Sequence, residues 1–549
     1  MRHLISCALL CGTLLSGCAV EQVEEPYLAP LEARQQLIRL SMDLRGVHPT
    51  EPELWAFETS FQREVDYERF VDEWIADDRF IGRMKEIFNE RYLMRTGEVY
   101  FTPPPALGSI DDRRMADIIA NEVMSLLEFT IANDRPYSYM VTAPHTMANP
   151  ELAAYWGIDY PADGGGDWVP ATYLDGRPHS GMLTMSTMWQ RYPSMGGNAN
   201  RHRANAISKA FLCDDYLSRP IVLNRAAVDQ LTVDPENAIN QNAGCQSCHA
   251  SLDPMAGNFF GFFNYDAADG IEASYYRPES EEEWRYFSGK EPAYYGRPTG
   301  NIPEFAAELA GDSRFADCAV QTVWEGLTQR DLVDEDWVEV SEHALAFLDS
   351  GMNLKQLVRS IVLSEEYAAR EAFEPGLADR FVGTKLVSPE QLSSLIAQKT
   401  GYTWFFDGRD GLKNNSMGLQ VLAGGIDSSF VTERQLVPTV GLAFIQERIA
   451  QSAAWHVAAH DLDPGRTDEA QLLRFVTVED TPQGAPDAFD DQIRDLYLGI
   501  IGVPLAEESL EAQQLIEIWK TLYSVEASPT LAWSGVISAV LRDPRVLFY

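Results

Sequence analysis

The sequence predicts a mostly α-helical, multi-domain chain with irregular loop regions, on three observations. Apolar residues recur at three- and four-residue spacing through most of the 549 residues. Capping signals stand where such runs begin, and glycine stands where the first of them ends. The strict alternation of half-buried strands is sparse. Hydrophobic residues make up 45% and aromatics 11%, enough to bury large cores and too apolar for a disordered polypeptide.

Taken in order, the apolar stripe over 31–44 predicts a helix that stops at Gly46. Thr50-Glu51-Pro52-Glu53 is a capping box with an early proline, and it starts a second helix into Leu54 and Phe57. The same spacing predicts helices over 67–75, 114–131, 204–212, 315–327, 338–348, 354–363, 389–400, 440–449, 509–522 and 531–541. A short echo recurs in Asp77-Asp78-Arg79-Phe80, Asp312-Ser313-Arg314-Phe315, Ser364-Glu365-Glu366-Tyr367 and Asp543-Pro544-Arg545-Val546. Each sets a capping residue three positions ahead of an anchor, the mark of a helix end or a helix start. Three stretches read as connections: 157–170 around Asp163-Gly164-Gly165-Gly166-Asp167, the Gly-, Pro- and Tyr-rich 258–301, and a polar linker over 463–486. The resulting division is 1–17, 18–105, 106–225, 226–301, 302–375, 376–475 and 476–549.

Residues 1–17 have the form of a secretory signal, with Arg2 ahead of an apolar stretch too short to span a bilayer. Leu15-Ser16-Gly17-Cys18 resembles a lipobox, which implies cleavage before Cys18, lipid on its sulfur and a membrane anchor of several acyl chains. Ala19, where an Asp would favour inner-membrane retention, points to the outer membrane. Of the 43 basic residues one lies in 1–17, and of the 82 acids none, so the mature chain would carry −40. That charge excludes nucleic acid as a partner.

Export means an oxidising compartment. Of the seven cysteines, Cys7 and Cys11 leave with the signal and Cys18 takes lipid. Gly244-Cys245-Gln246-Ser247-Cys248-His249 is the strongest chemical signal in the chain. Two thiols at three-residue spacing can meet the two vinyl groups of a haem, and the histidine that follows can bind the iron. A redox-active disulfide would call for a thioredoxin-like alternation of strands and helices. A zinc site would call for a second ligand pair, and the only compact histidine pair, His456 and His460, is remote. The expected cofactor is therefore one covalent haem c, on Cys245 and Cys248, with His249 as proximal ligand. Cys213 and Cys318 are left over, either as a structural disulfide or as two separately buried thiols.

The run from Cys245 through His249, Asp253-Pro254-Met255 and Gly257 to Phe263-Asn264-Tyr265-Asp266 closely resembles the cytochrome c segment of the planctomycete-type cytochrome families, secreted multi-domain proteins common in planctomycetes and myxobacteria. The likeness extends over 129–157, 180–184, 203–213 and 315–367, and more loosely over 34–80 and 489–548. Ala204 departs from the usual family glycine, the proline just upstream of that basic helix is missing, and Met255-Ala256-Gly257 carries one extra residue. The resemblance implies a cytochrome c segment over 226–301, a redox partner protein and, by association, a secreted sulfatase-like partner.

The second axial ligand is expected from the Met-rich stretch of Met182, Met185, Met188 and Met195, flanked by His179 and His202, with Met185 favoured. Asp253-Pro254 is read as the turn that closes the motif. Phe259, Phe260, Phe262, Phe263 and Tyr265 either wall the haem edge or form an ordinary core cluster. Electron transfer is the leading expectation. A haem-dependent surface oxidoreductase acting on peroxide or a carbohydrate-derived substrate, and a scaffold with a structural haem, are the alternatives.

Overall fold

The structure, a computed structural model, describes residues 28–96, 107–108, 110–194, 196–220, 228–229, 232–233, 239–263, 275–372, 383–406, 408–414, 417–506 and 509–549. The signal, Cys18 and Met195 lie outside these residues. The protein is mostly helical, 61% helix against 5% strand. No helix among the described residues is long and apolar enough to cross a membrane.

The first helix, Ala33–Arg45, ends as expected at Gly46, which adopts a left-handed φ of 71° and sends its N–H back to Ser41 and Met42. Thr50 and Glu53 close the capping box of Glu51–Glu58, with Thr50 N–H donating to Glu53 at 2.7 Å. All four echoes are helix starts: Asp77, Asp312, Ser364 and Asp543 accept from the backbone of Arg79, Arg314, Tyr367 and Arg545.

Helices also form where no stripe is predicted. Asp78–Tyr92 buries Phe80, Met84, Ile87 and Phe88 between charged residues that obscure the pattern. Pro486–Ile501 closes on Phe489, Ile493, Leu496 and Ile500. Val440–Asp461 runs well past residue 449 because Ala450, Ala453, Ala454 and Ala458 continue its buried face. Those small side chains let it lie along Pro529–Leu541.

The 157–170 connection is bounded by strands. Ile158–Asp159 and Thr146–Ala148 flank Val169–Tyr173 in an antiparallel three-stranded sheet, and Tyr160 braces the glycine run by donating to the carbonyls of Gly164 and Asp167. The polar 463–486 segment has no regular element before Pro486 but is more than a linker. Leu472, Leu473 and Val476 are buried, and the carboxylate of Asp461 accepts the N–H groups of Gln471, Leu472 and Leu473.

Buried side chains from Leu37 to Leu547 join in one connected cluster that crosses the divisions drawn from the sequence. Asp43 shows how the ends meet. Its carboxylate, 1% exposed as a residue, accepts from Lys385, from Tyr367 and, at 2.8 Å, from the Tyr549 hydroxyl. Burial drives the Lys385 amine well below its ordinary value while the Asp43 charge opposes that shift.

Two helices set the position of the motif. Ala243–Gly257 carries it and packs on Arg201–Leu212 and on the strand Ala293–Tyr294, while Arg201–Leu212 also packs on Ser313–Thr328.

Candidate functional site

Asn242 starts the motif helix by accepting the Gly244 N–H at 2.9 Å. Cys245, Cys248 and His249 then fall at three- and four-residue steps, which puts them on one face. Neither thiol is in a disulfide: Cys245 is half-buried and Cys248 buried. Asp253 and Pro254 stand inside this helix, so the expected closing turn is corrected to a continuous helix ending at Gly257. Proline brings no N–H, so the helix loses one internal bond there and continues through tertiary packing. Gly257 lets the helix approach Pro292 closely, since a β-carbon at that position would lie 3.2 Å from the Pro292 Cα, tighter than ordinary contact.

One helical turn separates His249 from Asp253, and the side chains meet. Nδ1 of His249 lies 2.9 Å from Asp253 Oδ1. The same carboxylate accepts from Arg201 at the start of the neighbouring helix, Nε to Oδ1 at 2.6 Å and Nη2 to Oδ2 at 3.0 Å. Asp253 is 1% exposed and the His249 side chain 23%. Burial works against the Asp253 charge, but hydrogen bonds from His249 and Arg201 outweigh it and hold the carboxyl below the usual range. With Nδ1 turned to this acceptor, Nε2 is the ring nitrogen left to meet a ligand.

The helix that supplies Arg201 is fastened along its length. Arg203, fully buried, donates to the carbonyls of Tyr192 and Phe262 at 3.0 and 2.9 Å. At the other end Cys213 adopts a left-handed φ of 51°, and its sulfur lies 2.11 Å from that of Cys318, with the Cα atoms 5.2 Å apart. The two cysteines left by the count therefore meet at disulfide distance. Tyr216, just beyond, has its hydroxyl 2.8 Å from that of Ser251 on the motif helix and 3.8 Å from the Met255 sulfur.

The described methionines of the expected stretch share the main core with Cys248, Leu252 and Met255 of the motif helix. Met185 precedes the short helix Ser186–Arg191 and is fully buried in the main core, as are Met182 and Met188. That helix packs on Asp112–Ala132. His179 accepts the Tyr173 N–H at Nε2, 3.1 Å away, and His202 packs against the Tyr192 ring.

The described part of the aromatic run packs on protein rings, and Tyr265 lies outside the described residues. Phe259 meets Trp189 and Phe305, Phe262 meets Trp189 and Tyr276, and Phe260 and Phe263 meet Phe287. His456 is exposed beside Tyr402, and His460 bonds to Asp461 and Asp468. No group of three or more metal-binding side chains occurs among the described residues.

Sequence reasoning missed the roles of Arg201 and Asp253. The four-residue interval from His249 to Asp253 was a usable signal for the second, since those positions face each other on any helix. Nothing local marks Arg201, which reaches the site only by tertiary packing. In comparisons with known proteins, no family model, no curated protein and no solved structure matches this chain.

Proposed function

We propose that this protein is a lipid-anchored monohaem c-type cytochrome of the cell envelope, similar to the planctomycete-type families, whose activity is electron transfer. The observation that carries the reading is the donor set of Ala243–Gly257: two free thiols and one imidazole on a single helical face, with Nδ1 of that imidazole engaged by Asp253. This set fits haem c. Cys245 and Cys248 would hold it through thioethers and His249 Nε2 would bind the iron, and the group would supply a one-electron redox centre. Asp253 orients the ring, and Arg201 keeps Asp253 in place. Met185 would be the residue to test first as a second ligand to the group.

Cys18 would carry the lipid, on the outer membrane, in keeping with the apolar run before it and with Ala19 after it. The formal net charge of −39 suits a cationic patch on a redox partner protein and disfavours nucleic acid. A secreted sulfatase-like protein is the second partner to test.

Expression in a host with c-type maturation machinery should yield haem that remains with the chain through denaturing electrophoresis, and Cys245→Ala with Cys248→Ala should abolish it. Haem released from the unmutated protein by acid-acetone would sink the reading.

A further inference from the structure

We infer that Asp253, held by Arg201, is a positioning residue that gives His249 strong electron-donating character and so sets a low reduction potential for the group bound there. The inference rests on the haem-binding reading above and adds to it the direction in which this chain biases the iron.

The partner of a metal-binding histidine's second nitrogen can be a carbonyl, a water or a carboxylate. Here it is a carboxylate, 2.9 Å from Nδ1 and itself almost fully buried. A buried anion draws the shared proton toward itself and pushes electron density into the ring, and the effect is larger in a low-dielectric surrounding than in water. More density at Nε2 favours the oxidised iron, which lowers the potential.

Arg201 acts in the opposite sense. Its guanidinium meets the same carboxylate through Nε and Nη2, at 2.6 and 3.0 Å, and takes up part of the negative charge that would otherwise act on the ring. It also fixes the plane of the carboxylate, so Oδ1 faces His249. Because Arg201 belongs to the helix that Cys213 fastens to Ser313–Thr328, the balance is set by tertiary structure.

The two substitutions should therefore shift the potential in opposite directions, which a general loosening of the site would not do. Asp253→Asn keeps an oxygen acceptor but removes the charge, and should raise the potential. Arg201→Gln leaves the His249 contact in place but frees the carboxylate, and should lower it. Each effect should be about tenfold in the redox equilibrium constant, which is ~59 mV for one electron.

The experiment is a spectroelectrochemical titration of the full-length holoprotein and both variants, with covalent haem quantified in each by its pyridine haemochrome. Potentials that move apart, up for Asp253→Asn and down for Arg201→Gln, support the inference. Unmoved potentials, or shifts of the same sign in both variants, overturn it while covalent haem leaves the cytochrome reading standing. An unmutated protein without covalent haem overturns both. If Asp253→Asn cannot retain haem, Arg201→Gln decides alone, a fall in potential supporting the inference and an unchanged value overturning it.

Discussion

Replacing both Cys213 and Cys318 by alanine tests how the scaffold of the site is held. The two are 105 residues apart in sequence, and the loop they close contains the whole motif helix. Removing that closure from the unfolded chain costs, by the chain-entropy relation, ~4.7 kcal/mol, of which about 2–4 kcal/mol is normally realised. Alanine fills much of each thiol's volume and leaves no polar group behind, and Cys318 is buried against the helix ending at Cys213. The loss should therefore come chiefly from the cross-link. Urea unfolding followed by circular dichroism, on the unmutated protein with and without reductant and on the double variant, should show reduction and substitution lowering stability alike. Peptide mapping without reductant should recover one peptide joining Cys213 to Cys318. A loss below about 1 kcal/mol, or alkylation of both thiols in the native unreduced protein, would refute the reasoning.

Two further outcomes are expected. Cys18→Ser should shift the protein from the membrane fraction to the soluble one or leave its leader uncleaved, and unchanged fractionation with unchanged size would contradict the proposed anchor. Gly326→Val should destabilise the protein by about 1–3 kcal/mol, because a β-carbon at Gly326 would lie 2.5 Å from Ile87 Cγ2 where Ser313–Thr328 crosses Asp78–Tyr92. Thermal unfolding reads it, and an unchanged midpoint would mean the two helices can separate freely.

Helix positions were legible wherever a local rule acted alone. Gly46, Thr50, Asp77, Asp312, Ser364 and Asp543 each solve the problem of an unsatisfied helix end with their own atoms, and they stand at helix ends in the structure. Where burial decided, the sequence was silent or misleading. Alanines that look neutral extend Val440–Asp461 because another helix covers them. The polar 463–486 stretch packs because Asp461 satisfies three of its N–H groups.

The candidate site divides the same way. The sequence by itself determined the order and spacing of Cys245, Cys248 and His249 and the interval to Asp253, and it left Cys213 and Cys318 either as a disulfide or as two buried thiols. Only the tertiary structure decided that Asp253 is buried on His249 rather than turned into a loop. It also decided that Arg201, 52 residues away in sequence, binds that carboxylate, and that Met185 lies buried in the core just ahead of Ser186–Arg191. The physical reason is that a carboxylate's partner is chosen by which helices pack together, and packing is settled by the burial of the whole chain and not by any segment of it.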